Sequence, residues 1–345
     1  DNLACTLENH QMYTLPLANN DILKEDTMNF DLLSTSFHAP GDNADPQITG
    51  LDTCVRKPLV VTCGLDRSVR VWNYLEKTTD LQKTFKEEAY CVAFHPSGLH
   101  IVVGFSDKLR LLNLLMDDIR CVKEFPVKAC NEVRFSNGGQ YFAAVNNNTV
   151  YIYHTYSADL ITTLRGHNSK VRSVCWKAND KQLYTCGADG FAILWDARHG
   201  TKVCETQVSR VQLSCVATSS QDPNTTYVAG NDRKIKEIKV SSGAAAGPTV
   251  SGGSSSVAAT TAGSAAAAAA AGSMMSVKVD MESNLPIGEL HLSASGKVLF
   301  AGAGSTGLPG VIRAYNLPLR ANDYAEYQCH ASPVTRMRMS HDGQF

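Results

Sequence analysis

Three constellations in this chain have residue types that could do chemistry. Gly302-Ala303-Gly304-Ser305-Thr306-Gly307 matches the G-x-G-x-x-G spacing that lets backbone amides approach a dinucleotide pyrophosphate. That chemistry needs a helix N-terminus directly after the glycines, because aligned N–H groups and the helix dipole hold the phosphates. Here Leu308-Pro309-Gly310 follows, and then a strand-like run, so a hairpin turn is expected and nucleotide binding is not. His167 and Asp189, with the hydroxyls of Ser173 and Thr185, supply the types of a Ser-His-Asp hydrolase. A triad also requires an exposed nucleophile beside an oxyanion hole. Ten His and eleven Cys are scattered without the paired spacing of a zinc site. No catalytic group, cofactor or metal is therefore expected.

Bulk properties narrow the classes further. Lys and Arg number 32 against 33 Asp and Glu, so no large field of one sign draws in nucleic acid or anionic lipid. Cys91, Cys175, Cys186 and Cys215 sit inside apolar runs, where free cysteine behaves as a small hydrophobe, as in a reducing compartment. In such a compartment the Asn-x-Thr sequons at Asn147 and Asn224 carry no weight. There is no signal peptide and no 18-residue apolar stretch, and neither secretion nor a membrane span is expected. The missing initiator Met and the strand-like pattern running into Phe345 read as a segment of a longer polypeptide.

The candidate residues sit on a repeating frame. Hydrophobic runs close on Trp72, Leu112, Tyr153, Trp195, Ile238 and Tyr315, with gaps of 40, 41, 42, 43 and 77 residues. The last gap contains an Ala/Gly/Ser-rich tract, 241–273, and falls to 44 without it. A period in the low forties with short strands inside it predicts an all-β propeller, one four-stranded blade per repeat. Strands from both termini, Leu3 to Leu17 and Leu32 to Phe37 with Pro333 to Met339, are expected to combine into one more blade, making seven over residues 1–345. The tract is flexible in composition and has no large apolar group to offset ordering, so a tolerated insert is expected there.

The unit from Leu164 to Gln207 is the cleanest. Gly166-His167 opens it, strands follow at Val171 to Trp176 and Gln182 to Cys186, a turn falls at Gly187 to Gly190, and Trp195-Asp196 closes the third strand. Asp189 stands six residues before Trp195, as Asp66 stands six before Trp72, and Thr185 and Thr62 each precede their Asp by four. In these spacings the chain resembles the WD-repeat family. The resemblance implies that His167, Thr185, Asp189 and Trp195 form a hydrogen-bonded chain tying the blade together, with Thr62, Asp66 and Trp72 repeating it and His38 in the His position. Such a network uses the residues of the would-be triad and leaves no nucleophile. The units closing at Leu112, Tyr153 and Ile238 lack the signature and are expected to be held by apolar packing.

Longer stretches go past the repeat consensus: CVRKPLVVTCGLDRSVRVWNY (54–74), HPSGLHIVVGFSDKLRLLNLLMDDIR (95–120), FSNGGQYFAAVN (135–146) and EYQCHASPVTRM (326–337). They resemble a family of axonemal WD-repeat proteins of cilia and flagella. That resemblance implies tandem propellers with a coiled coil, docked on doublet microtubules near inner dynein arms and their regulatory complex. It makes the segment a non-enzymatic structural module within a large assembly, helping to position those complexes, with axonemal proteins as partners and no nucleic acid or membrane. The alternative is a soluble WD-repeat adaptor, such as a ubiquitin-ligase substrate receptor or a transport-complex subunit. In either case the resemblance puts innermost-strand starts and turn residues on one face. The candidate protein-binding residues there are Gln47, Thr49, Leu65, Glu88, Tyr90, Ser106, Lys170, Arg172, Ala188, Gln212, Ser214 and Thr335.

Overall fold

A computed structural model of the chain describes residues 2–6, 12–16, 31–34, 38, 47–219, 221–242, 273–305, 309–320, 323–330 and 332–340. Every regular element among them is a strand. β1 (Asn2–Thr6), β2 (Met12–Pro16) and β3 (Asp31–Ser34) form a three-stranded antiparallel sheet. Six four-stranded blades follow. Blade 1 holds β4 (Ile48–Thr53), β5 (Leu59–Gly64), β6 (Ser68–Asn73) and β7 (Thr78–Thr84). Blade 2 holds β8 (Ala89–Phe94), β9 (His100–Phe105), β10 (Leu109–Leu114) and β11 (Ile119–Phe125). Blade 3 holds β12 (Glu132–Phe135), β13 (Tyr141–Asn146), β14 (Thr149–His154) and β15 (Leu160–Arg165). Blade 4 holds β16 (Val171–Trp176), β17 (Gln182–Gly187), β18 (Phe191–Asp196) and β19 (Lys202–Gln207). Blade 5 holds β20 (Leu213–Thr218), β21 (Thr225–Gly230), β22 (Lys234–Ser242) and β23 (Ser273–Glu282). Blade 6 holds β24 (Ile287–Leu292), β25 (Val298–Ala303), β26 (Gly310–Asn316) and β27 (Tyr324–His330).

The middle strands are apolar on both sides because each blade is packed on two faces. Along β13, Phe142 and Ala144 join the core shared with blade 2, while Ala143 and Val145 join the core shared with blade 4. Five such cores run from blade 1 to blade 6, each between consecutive blades. The period therefore records a packing requirement: Leu112, Tyr153, Trp195, Ile238 and Tyr315 are buried, and Trp72 is half-buried.

The blade count corrects the expectation of seven. Among the described residues six sheets have four strands, and β1–β3 pair only with one another. Residues 333–339, expected as an innermost strand, form none, and the irregular segment runs on through Ser340. Their bonds to β4 run through side chains and not through a ladder: Thr53 Oγ1 donates to Met339 O at 3.0 Å, and Arg336 Nε to Thr49 O at 3.3 Å. The segment lies between β24 and β4, close against Gly288 through Val334 O. Residues 243–272, the bulk of the Ala/Gly/Ser-rich tract, and the stretch 41–46 lie outside the described residues. Ser242 and Ser273, at the two ends of the tract, pair with each other.

The glycine fingerprint sits in the β25–β26 hairpin, and a strand follows where a phosphate site needs a helix. Thr306 and Gly307 lie outside the described residues. A Cβ at Gly302 would stand 2.8 Å from the Val334 side chain, and one at Gly304 2.7 Å from Pro333 Cα. These glycines admit the close approach of segment 333–340.

Candidate functional site

The blade-4 network is assembled from the loop before β16, from β17, from the β17–β18 turn and from β18. His167 Nδ1 meets Asp189 Oδ2 at 3.0 Å, and His167 Nε2 meets Thr185 Oγ1 at 2.7 Å. Trp195 Nε1 donates to Thr185 Oγ1 at 2.8 Å, and Asp189 also accepts from the amides of Asn168 and Phe191. Burial holds the His167 imidazole below its ordinary value, with Asp189 pulling the other way. A neutral ring then donates from Nδ1 to Asp189 and accepts the Thr185 hydroxyl proton at Nε2. Every donor and acceptor is matched, so the hydroxyl is not a free nucleophile. Ser173 is buried and outside this chain of bonds.

Blade 1 repeats the arrangement. His38 Nδ1 lies 2.8 Å from Asp66 Oδ2, His38 Nε2 lies 3.0 Å from Thr62 Oγ1, and Trp72 Nε1 donates to Thr62 at 2.8 Å. In blade 2, Asp107 instead meets Arg110 at 3.2 Å, and Arg110 also pairs with Glu87 and Glu124. Removing the carboxylate in blade 4 leaves His167 and two amides without a partner, so Asp189→Ala is expected to cost about 1–3 kcal/mol. Asp107→Ala breaks one half-exposed pair and is expected to cost less than about 1 kcal/mol. Urea unfolding followed by circular dichroism orders the two variants, and an equal effect would remove the network's structural role.

The face residues lie where the loops entering each blade meet the turns between its second and third strands. Leu65 N donates to Gln47 O at 3.0 Å, Ala188 N to Lys170 O at 2.8 Å, and Asn231 N to Gln212 O at 3.2 Å. Gln47, Ser106, Lys170, Arg172 and Thr335 are exposed, and Leu65, Glu88, Tyr90, Ala188, Gln212 and Ser214 are half-buried. Thr49 is half-buried too, its hydroxyl committed to Ala89 O at 2.6 Å, and the Tyr90 hydroxyl donates to Glu88 at 3.1 Å. They are brought onto one face, although not as one contiguous patch of a single character.

Sequence reasoning missed a charged cluster at the centre. Arg134 on β12 contacts Glu132 at 3.0 Å, Asp52 of β4 at 3.4 Å and Glu289 of β24 at 3.5 Å. Arg336 contacts Glu132 at 2.7 Å and Glu289 at 3.5 Å. Arg338 reaches Glu289 at 2.5 Å and Asp52 at 3.3 Å. Three guanidinium groups thus face three carboxylates, from three innermost strands and the segment between them. Burial pushes the Glu289 carboxyl up to about 7 against the pull of Arg336 and Arg134, and raises Asp52 as well. The attraction of Glu132 lifts Arg336, and burial lowers His291 beside them. The available signal was titratable groups two residues apart: Glu132-x-Arg134 and Glu289-x-His291 on strands, and Arg336-x-Arg338 on the irregular segment. One mouth of this centre widens into a cavity of about 560 Å³ that includes Asp52, Arg134, Trp176, Glu289, His291 and Arg338 in its wall. Among the described residues no group of His, Cys, Asp and Glu has the arrangement of a metal site.

Comparison with known proteins fits this architecture. Residues 33–73 and 158–196 match the family described as WD domain, G-beta repeat. The chain is 37% identical over 346 residues to cilia- and flagella-associated protein 57 of Mus musculus, which covers all of this chain and 24% of that relative. It is 32% identical over 352 residues to cilia- and flagella-associated protein 57 A of Tetrahymena thermophila, covering 99% of the chain and 26% of the relative. The 77 kDa echinoderm microtubule-associated protein of Lytechinus variegatus is 25% identical over 170 residues, 48% of this chain and 26% of its own length. The chain thus spans about a quarter of the length of these relatives. Both repeat matches end on the Trp-containing strands of blades 1 and 4, where the hydrogen-bonded networks sit, and the chain carries WD repeats there.

Proposed function

We propose that this chain is a non-enzymatic protein-interaction module of the ciliary and flagellar axoneme, helping to position inner dynein arms and their regulatory complexes on doublet microtubules. The observation that carries the proposal is similarity across the whole chain to proteins named for cilia and flagella, in a mammal and in a ciliate. The half-length likeness to a microtubule-associated protein supports a cytoskeletal setting. Residues of the types used in catalysis are engaged in blade-tying bonds, and the glycine motif serves a close backbone approach. What is left to act is surface, and loops on a rigid scaffold are where binding residues concentrate.

The test uses the purified chain with salt-extracted axonemes. Co-sedimentation, followed by cross-linking to dynein-arm or regulatory-complex subunits, is the expected result. Failure to be retained, or nucleotide hydrolysis by the purified chain, would overturn the reading.

A further inference from the structure

A chain with a formal net charge of −1 nonetheless carries a one-signed sector on the face described above. Three consecutive entering loops, 126–131, 165–172 and 208–212, contain Lys128, Arg165, Lys170, Arg172 and Arg210 and no Asp or Glu. The neighbouring turn 231–233 adds Arg233. All six cations are exposed, and none has an ion-pair partner among the described residues. Backbone bonds join these loops into a continuous arc. Asn131 N donates to Val145 O, Val171 N to Asn147 O, Ala188 N to Lys170 O, Ser209 N to Gly190 O and Asn231 N to Gln212 O.

The carboxylates nearest the arc are already engaged. Asp189 keeps its charge but is sunk in the blade network, its side chain 8% exposed, and Asp232 is held by Lys236 at 2.6 Å. Glu205 is paired with Lys202 at 2.6 Å, and Asp280 and the exposed Glu282 share Lys234 at 3.2 and 3.8 Å. Elsewhere the face is mixed: Glu87 and Asp107 both meet Arg110, and Glu88 stands beside Tyr90. At one end Arg210 helps line a pocket of about 420 Å³ with Ser209, Lys234, Lys236, Asp232 and Asp280.

Building on the proposed interaction module, we infer that this arc docks an acidic polypeptide segment of its partner. Charge complementarity selects an anion, and the spacing of the charges selects its class. The cations are separated by amide, hydroxyl and apolar groups, Asn147, Asn148, Ser169, Val211 and Gln212, which suit the side chains and backbone of an extended peptide. Single-stranded nucleic acid is gripped by stacking on exposed aromatic rings, and these loops contain no Phe, Tyr or Trp. A lipid surface is held by an apolar face inserted beside the basic one. Val211 is the one exposed large hydrophobic side chain among the described residues of these loops.

The probe is a fluorescein-labelled peptide of alternating Glu and Ala, titrated with the full chain and read by anisotropy. Saturable binding is expected, weakening as salt rises from about 50 to about 300 mM. Combining Lys170→Glu, Arg172→Glu and Arg210→Glu should weaken it at least about tenfold. Arg198→Glu with Lys297→Glu, exposed sites in turns at the other ends of the strands, should leave it unchanged, and melting curves check that both variants fold. Equal loss in both variants, or tighter binding to a DNA oligonucleotide or to phosphatidylserine vesicles, overturns the inference. Axoneme co-sedimentation separates its failure from that of the module reading. Retention of the charge-reversed variant refutes the arc alone, whereas loss of the unmodified chain refutes the module.

Discussion

Arg134→Met is expected to cost this fold about 3–5 kcal/mol, the loss typical of removing one partner from a buried ionic network. Arg134 touches all three carboxylates of the central cluster, at 3.0 Å for Glu132, 3.4 Å for Asp52 and 3.5 Å for Glu289. Without it, three buried acids share Arg336 and Arg338. The effect should depend on pH in a definite direction. Glu289 and Asp52 already stand above their ordinary values because of burial, and Arg134 is a group that lowers both. In the variant their folded values rise further. A carboxyl raised on folding contributes stability that is fully present below its unfolded value and is lost as pH rises through the folded one. The deficit of Arg134→Met should therefore be smallest near pH ~4.5 and widest above pH ~7. Adding Glu289→Gln should recover part of it, because one surplus charge disappears. Urea midpoints at several pH values decide the matter. A cost below about 1 kcal/mol, or one independent of pH, would mean that solvent screens this cluster as it screens surface pairs.

The contrast between this cluster and the blade networks shows why one was legible in the sequence and the other was not. His167, Thr185, Asp189 and Trp195 fall within one repeat, at offsets that recur as His38, Thr62, Asp66 and Trp72. A local network that every repeat can copy leaves a periodic trace. Asp52, Glu132, Glu289 and Arg338 come from four distant parts of the chain, and only the curvature of the propeller brings them together. Their separate traces, a lone Asp52 and charges two residues apart at Glu132, Glu289 and Arg338, look like ordinary solvated positions until the other side of the ring is known.

The error in blade count has a related cause. Residues 333–339 carry a strand-like alternation only at their end, Met337 and Met339 against Arg336 and Arg338. Period alone cannot say whether the backbone will pair. Here Arg336 and Arg338 fix the segment from its side chains, and the bonds to Thr49 and Thr53 take the place of a ladder. The candidate face residues fall on entering loops, on turns and on the first residues of innermost strands, and the sign of the arc was hidden by bulk charge. An even count of cations and anions says nothing about which carboxylates are already consumed by partners.

The second large effect is expected at Trp195, the residue through which blade 4 joins both its own network and its neighbour. Trp195→Ala should cost about 3–5 kcal/mol, because a large side chain only 2% exposed leaves a cavity that the sheets cannot close. Its ring lies in the core shared with Val150, Ile152 and Leu164 of blade 3, so the void opens between blades and not at an edge. The indole also donates to Thr185 Oγ1, which passes its own proton toward His167. Trp195→Phe separates the two contributions. It keeps most of the apolar contact but withdraws the donor, and should cost about 1–3 kcal/mol. In blade 2, the closing residue Leu112 is fully buried and works by packing alone, so Leu112→Ala should cost about 2–5 kcal/mol. Leu112→Met should cost less than about 1.5 kcal/mol, because no hydrogen bond is lost. Denaturation of the four variants by circular dichroism tests the division. If Trp195→Phe is as damaging as Trp195→Ala, the hydrogen bond dominates over packing at this site. If Trp195→Phe is harmless, the bond to Thr185 adds nothing to the strength of blade 4.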